Sequence, residues 1–307
     1  LLQEHFNFVS GDGIKLFVYK WLPDNRDGVK AVVHIMHGMG EHSGRYEDFA
    51  GFLTGQGFAV YACDQRGHGK TAGSPERFGH YGDSGGWDLV LSDMRKLNDI
   101  ITEQNPGKNI FIFGHSAGAF LASDIIMFNP EKISGAILCA TMASPGTIGM
   151  LGILVAKYII RKKGPKAKSP FHKKLTFEKF NNYFKPVRTT ADWISRDENA
   201  VDAMIADPYC YTLFSATFYL DLVKAAYRVN DLKNIKKIPE DMHVLIISGT
   251  CCALGDFGKG TRKVYSDYLK AGPANVELRL YEGARHELLN EINRDEVYRD
   301  IKNWLLK

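Results

Sequence analysis

The 307-residue sequence has no uninterrupted apolar run of the roughly 18 residues needed to cross a bilayer. That argues against a membrane-spanning protein; no signal peptide is visible, and the opening at Leu1 rather than methionine makes a trimmed N-terminus the expectation. It has no large excess of either charge: Lys and Arg outnumber Asp and Glu by 39 to 35, so the formal net charge is +4. A balance this small specifies no polyanionic partner, and the motifs of nucleic-acid binding are absent. Cysteine is sparse and unpatterned. Cys63, Cys139, Cys210, Cys251 and Cys252 are odd in number and have neither the spacing of a disulfide framework nor that of a zinc site. Reduced thiols in a cytoplasmic protein, with no metal and no cofactor, are the simplest expectation. No internal repeat is evident.

What is present is a regular alternation. Two strand-like segments, His5–Ser10 and Ile14–Trp21, flank the turn Gly11-Asp12-Gly13. Apolar strands at Ala31–Met36, Phe58–Cys63, Ile110–Gly114 and Ile133–Cys139 then alternate with amphipathic helices near Arg45–Gln56, Trp87–Gln104 and Ser116–Phe128. Continuous apolar strands between helices predict an α/β fold whose mostly parallel sheet is covered on both faces. The alternation stops at about Thr141 and resumes with strand His243–Ser248, helix Gly258–Ala271, strand Val276–Tyr281 and helix Asn290–Leu306. We therefore expect one core built from residues 1–143 and 239–307, with residues 144–238 inserted as a helical cap.

Gly114-His115-Ser116-Ala117-Gly118 follows an apolar strand and opens a helix. This is the setting of a G-x-S-x-G nucleophile elbow, where small flanking residues let a serine project above the sheet. A chance glycine-rich strand-to-helix turn could carry the same letters, but the flanking elements favour Ser116 as the nucleophile. His37-Gly38-Met39-Gly40 follows the strand that should bear the second oxyanion loop, so the backbone amides of Met39 and Ala117 are the expected oxyanion hole. The chain order Ser, acid, His puts the base after the last strand, where His286 stands. The acid should follow strand His243–Ser248, yet the loop there reads Gly249-Thr250-Cys251-Cys252-Ala253-Leu254-Gly255-Asp256. Its one carboxylate, Asp256, comes late and is the alternative acid.

These segments resemble a known family. His37–Tyr46, Asp64-Gln65-Arg66-Gly67-His68-Gly69, the elbow, Trp193–Asp197 with Asp207-Pro208, and Gly283–Glu287 look like the corresponding segments of α/β hydrolases of the monoacylglycerol lipase and bacterial lysophospholipase-like group. The resemblance implies an α/β-hydrolase fold with an inserted cap and a serine hydrolase of lipid-like carboxylic esters that needs no cofactor. It also implies that Cys252 stands at the acid position, because the family pattern there is like G-x-x-D-P-V-G. The elbow departs too, with Ala117 where methionine is usual.

In the cap, Thr147–Ile160 is apolar on nearly every face and runs into Arg161-Lys162-Lys163. It would either pack over the mouth of the sheet or rest transiently on a membrane surface, making the protein cytoplasmic or peripheral. Tyr209, Tyr211, Phe214, Phe218 and Tyr219 would line an acyl pocket or, for most of them, form cap core. The expected partner is a small lipid-like acyl ester. The competing function is a catalytically weak scaffold, degenerate or engineered, that binds an apolar ligand. Ser116 at the elbow argues against dehalogenase chemistry, which places Asp there.

Overall fold

A computed structural model describes residues 2–26, 28–211 and 213–307; Leu1, Asp27 and Thr212 lie outside the described residues. Eight strands form one sheet: β1 (Leu2–Val9), β2 (Lys15–Leu22), β3 (Val32–Met36), β4 (Ala59–Cys63), β5 (Ile110–His115), β6 (Gly135–Cys139), β7 (His243–Gly249) and β8 (Asn275–Tyr281). Their spatial order is β1-β2-β4-β3-β5-β6-β7-β8. The first two pairings are antiparallel and the remainder parallel. This is the α/β-hydrolase sheet that the sequence predicts.

Helices α1 (Glu47–Gly55), α2 (Gly69–Ala72), α3 (Gly86–Gln104) and α4 (Ala117–Phe128) connect the first six strands. After β6 come α5 (Gly146–Lys163), α6 (Pro170–Lys173), α7 (Lys179–Asn181), α8 (Glu198–Ala206), α9 (Ala216–Val229) and α10 (Leu232–Ile235). Helices α11 (Lys259–Ala271) and α12 (Arg294–Leu305) complete the chain.

The central strands are buried on both faces, so alternate residues enter opposite cores. On β7, Val244 and Ile246 join a cluster shared with α3, α4 and α9, while Leu245 and Ile247 join one shared with α1 and α12. Because β3 and β5–β8 run parallel, the loops after their carboxyl ends converge on one edge, where α/β sheets hold their sites.

Two helices begin differently from the sequence reading. Residues Ser43–Tyr46 form a tight 3-10 turn before α1, because His42 Nδ1 accepts from the Gly44 amide and starts the turn early. Helix α12 begins only at Arg294. The buried Glu291 carboxylate takes the amides of Arg285, Arg196 and Ile292 and holds the chain out of helix there. At the opposite end of the fold, β1 starts at Leu2 rather than His5, because its ladder with β2 continues to Leu2↔Leu22. Among the described residues no helix is long and apolar enough to cross a membrane.

The elbow needs close approach of backbones. A Cβ built on Gly118 would collide with the Met36 carbonyl oxygen of β3. Gly118→Ala is therefore expected to destabilise the fold by at least about 2 kcal/mol, the scale of forced overpacking. Urea unfolding checks it, and an unchanged midpoint would contradict this packing.

Candidate active site

Ser116 sits between β5 and α4 with φ 53° and ψ −116°, a conformation that non-glycine residues rarely adopt. Such strain costs about 1–3 kcal/mol and persists only where the surroundings impose it. Here the Ser116 amide donates to Cys139 O at 2.9 Å and Ser116 O accepts from Ala119 N at 3.0 Å. Ala117 heads α4, and first-turn amides have no partner within a helix. Across from it lies the loop after β3, where a Cβ on Gly38 would come 3.1 Å from Ser116 Cβ. Within that loop the Gly38 amide is bound to Glu41 and the Gly40 amide to His68 Nε2. Among the described residues, the amides of Met39 and Ala117 donate to no protein acceptor. Both residues line the cavity that Ser116 lines.

The loop is organised by a carboxylate that sequence reasoning missed. Glu41 is buried, and its Oε1 accepts from Gly38 N at 2.6 Å and Tyr46 Oη at 3.0 Å and meets His115 Nδ1 at 2.8 Å. Its Oε2 accepts from Arg45 at 3.2 Å, and Arg45 also makes a bidentate pair with Glu287 at 2.8 and 2.7 Å. Burial alone would raise the Glu41 carboxyl, but His115 and Arg45 override it and hold the group well below the usual range. Burial would likewise lower the His115 imidazole, and the Glu41 charge more than offsets that, leaving it raised. Glu41 lies outside any helix, so no local periodicity in the sequence marked its pairing with Arg45.

His286 is 3% exposed, with its ring 4.8 Å from that of His115 and 4.7 Å from that of Trp193. His115 Nε2 reaches the His286 carbonyl at 3.4 Å, and the Glu287 amide donates to Ile194 O at 2.7 Å, which ties this loop to the segment between β6 and β7. The far ring nitrogen, Nδ1, meets Cys252 Sγ at 3.2 Å. The acid loop is pressed against the histidine loop: Cys251 N donates to Ala284 O, and a Cβ on Gly249 would collide with that same oxygen. Burial pushes the fully enclosed Cys252 thiol up to about 11, so it is neutral at physiological pH. Burial first, and then the neighbouring His115 charge, hold the His286 imidazole well below its ordinary value. Asp256, the alternative acid, is exposed and left-handed at φ 49°. It is the Cys252 side chain, four residues earlier, that faces His286, because the turn begun by Cys252 N→Gly249 O directs residue 252 inward.

Beside Ser116 opens a cavity of about 270 Å³, close to the lower end of the ~300–1,000 Å³ usual for small-molecule sites. Phe120 of α4 and Phe177, Phe180, Trp193, Tyr219 and Leu222, all between β6 and β7, line it. Of the five aromatics considered from sequence, only Tyr219 lines it. Phe214 and Phe218 are core, Tyr211 stacks on Phe78, and Tyr209 packs edge-on against His42.

Replacing Glu41 by Gln should cost about 3–5 kcal/mol, the scale for breaking one side of a buried pair. The sign of its pH dependence follows from the two shifts. The raised His115 contributes fully below its unfolded value of 6.5 and loses its contribution as pH rises through its folded value. The depressed Glu41 contributes above its unfolded value of 4.5 and loses its contribution as pH falls through its folded value. The stability gap between wild type and Glu41→Gln, read from urea unfolding, should be widest between 4.5 and 6.5 and shrink on the alkaline side. A gap independent of pH would contradict the charged pair.

Comparison with known proteins agrees with this architecture. The Hydrolase_4 family model, described as serine aminopeptidase, S33, matches residues 27–293. The monoglyceride lipase of Homo sapiens is 26% identical over 99% of this chain and 90% of its own length. The monoacylglycerol lipase of Mycolicibacterium smegmatis is 26% identical over 99% of this chain and 97% of its own. Among solved structures, a thermostable carboxyl esterase from Bacillus coagulans superposes with a TM-score of 0.91 at 26% identity, covering 99% of this chain and 98% of that one. The Paleococcus ferrophilus monoacylglycerol lipase gives 0.72 at 25% identity over 94% and 98%. With its elbow, its sheet order and a family match over most of its length, this chain belongs to the Hydrolase_4 family of α/β hydrolases and is monoacylglycerol lipase-like.

Proposed function

We propose that this chain is a carboxylic ester hydrolase of lipid-like acyl esters, of monoacylglycerol or lysophospholipid type, working through an acyl-enzyme on Ser116. The observation that carries the reading is a strained serine at the mouth of an apolar cavity, with two unclaimed amides beside it. Ser116 Oγ attacks the ester carbonyl while His286 takes its proton. The amides of Met39 and Ala117 hold the oxyanion, the alcohol leaves with the proton, and water then releases the acyl group by the reverse sequence. Residues 144–238 act as a cap whose aromatic residues enclose the acyl chain. Although the family description names a peptidase, the apolar and aromatic lining of that cavity supports an ester with an acyl chain.

The second reading, a scaffold that binds an apolar ligand with little catalysis, draws on Cys252. In a working triad the acid fixes the histidine tautomer and stabilises its cationic form. A neutral thiol does neither well. Sulfur is a weak acceptor, and if it donates to Nδ1 instead, Nε2 keeps its proton and cannot act as base. We therefore propose an impaired hydrolase. Losing the acid's function costs a serine protease with a Ser-His-Asp triad about 10⁴ in turnover.

Fluorophosphonate labelling should mark wild type slowly and Ser116→Ala not at all. Cys252→Asp should speed both labelling and p-nitrophenyl ester turnover by orders of magnitude, up to about 10⁴. Medium-chain esters should be cleaved faster than acetate. Equal turnover by Ser116→Ala would overturn the hydrolase reading, and a Cys252→Asp protein that binds fatty acid but stays inert would favour the binding scaffold.

Helix α5 supports membrane contact. It lays Gly149, Gly152 and Ala156 inward against α9 and turns Ile148, Leu151, Leu154 and Tyr158 outward, each more than half exposed. Large apolar residues at 3, 3 and 4 spacing thus form a solvent-facing stripe that ends in Arg161, Lys162 and Lys163. An anionic lipid surface suits both features. Burying one leucine is worth about 1.5–3 kcal/mol, so replacing Leu151 and Leu154 together by Gln should weaken co-sedimentation with phosphatidylserine-containing vesicles tenfold or more. Unchanged binding would remove α5 as the contact.

A further inference from the structure

His42, Asp207 and Cys210 meet at a junction that ester hydrolysis does not use. His42 lies in the loop after β3, while Asp207 and Cys210 belong to one turn between α8 and α9, closed by Cys210 N→Asp207 O at 3.0 Å. That turn is fixed against the loop: Tyr211 N donates to Gly40 O at 3.1 Å, and the Tyr209 ring packs edge-on against His42. One ring nitrogen, one carboxylate oxygen and the sulfur of the three residues all lie within 4.8 Å of one another. His42 and Asp207 are 165 positions apart in the chain, so no ligand spacing in the sequence marks the cluster.

The three side chains are oriented towards a common point. Asp207 Oδ1 accepts from Tyr209 N at 2.8 Å, which leaves Oδ2 to face His42 Nε2 at 2.8 Å. Cys210 is a free thiol, and its sulfur makes no hydrogen bond among the described residues. His42 is buried, while Asp207 and Cys210 are half-buried and leave one side open to solvent. An ion pair between His42 and Asp207 would explain two of these residues and leave the sulfur without a role. We propose that His42 Nε2, Asp207 Oδ2 and Cys210 Sγ form a binding site for a zinc-type divalent cation, with water as the fourth ligand. Nitrogen, oxygen and sulfur together suit zinc; magnesium and calcium take oxygen ligands. A thiolate and a carboxylate also balance the two charges of the ion. This site does not depend on the roles of Ser116 and His286.

Four-coordinate zinc with bonds of about 2.0–2.3 Å spaces its ligand atoms by about 3.3–3.7 Å, so the three groups need shifts of about 1 Å to enclose it. On binding, the Cys210 S–H bond breaks, a Zn–S bond forms and the proton passes to solvent. With Nδ1 of His42 accepting from Gly44 N at 3.2 Å, the ring proton sits on Nε2; it moves to Nδ1 when the metal binds, and that long hydrogen bond is given up. Burial also pushes the Cys210 thiol up, which opposes the proton release. These costs make the site one for exchangeable rather than permanent zinc. When filled, it would pin the loop that carries Met39 to the segment between β6 and β7.

The test uses the full chain, reduced and freed of metal by a chelator, with cobalt(II) as a spectroscopic stand-in for zinc. We expect one cobalt per chain, with a sulfur-to-metal charge-transfer band and the strong visible bands of four-coordination, all abolished by added zinc. Zinc should slow alkylation of Cys210 by iodoacetamide at least tenfold, read from the peptide mass, and raise the unfolding midpoint. Excess magnesium or calcium should do neither. Cys210→Ser should remove the sulfur-to-metal band, and Asp207→Asn, which can keep the turn at Tyr209, should weaken zinc binding at least tenfold. Cys251→Ser, which removes the other half-buried thiol, should bind as wild type. The proposal is overturned if wild type shows no sulfur-to-metal band, if Cys210 stays equally reactive with zinc present, or if Cys251→Ser abolishes the band. It is also overturned if Asp207→Asn, folded by circular dichroism, binds zinc as tightly as wild type. Should either ligand variant fail to fold, the wild-type band and the protection of Cys210 decide the matter.

Discussion

Glu41 is the carboxylate on which the geometry of this site depends. It lies in a loop that has no regular structure of its own, between β3 and the 3-10 turn at Ser43–Tyr46. A buried ion carries a desolvation penalty of several kcal/mol, so it is tolerated only where donors surround it. The donors that surround Glu41 come from separate parts of the chain: the Gly38 amide, the Tyr46 hydroxyl, the Arg45 guanidinium and the His115 ring. Satisfying one charge therefore aligns the oxyanion loop with the elbow. Through Arg45 and Glu287, the same network fixes the loop that carries His286. The strain at Ser116 is sustained within this frame, since the serine lies between His115, which is held by Glu41, and Ala117, the first residue of α4.

How much of this was legible in the sequence depends on whether a feature is local. The elbow could be read because its strand, turn and helix are contiguous. His286 could be read because chain order in this fold assigns it to the last loop. The burial of β7 on both faces followed from its uninterrupted apolar letters. Glu41 was not legible as a hub, because its donors are brought together only by the sheet. The residues that do line the cavity were not legible for a similar reason. Phe177 lies in a π-helical turn, Lys174–Glu178, and Trp193 in a loop, so no periodicity marks them as lining residues. The apolar character of α5 was plain, but which face points inward is decided by α9. A Cβ on Gly149 would collide with Tyr227 of α9, so the small buried residues Gly149, Gly152 and Ala156 take the inner face and the large ones stay outside.

Against this intact frame the acid slot stands apart. The elbow, the loop after β3, the histidine and the apolar cavity are all present, and the side chain that faces His286 Nδ1 is the buried Cys252 thiol. What is missing there is charge. Without an anion, burial and the neighbouring positive His115 both act to keep the His286 ring neutral, and only Glu41, itself paired with His115, opposes them. The shape of the candidate site is thus kept without the charge that would stabilise a cationic His286.

The protonation of His286 tests that separation most directly. Imidazole nitrogen NMR shifts, followed against pH in the wild-type chain, report both its charge and its tautomer. The account predicts that His286 stays neutral to well below its ordinary value of 6.5, without a single fixed tautomer. Titration at or above 6.5 with one locked tautomer would show that an anion already serves Nδ1, and would contradict it.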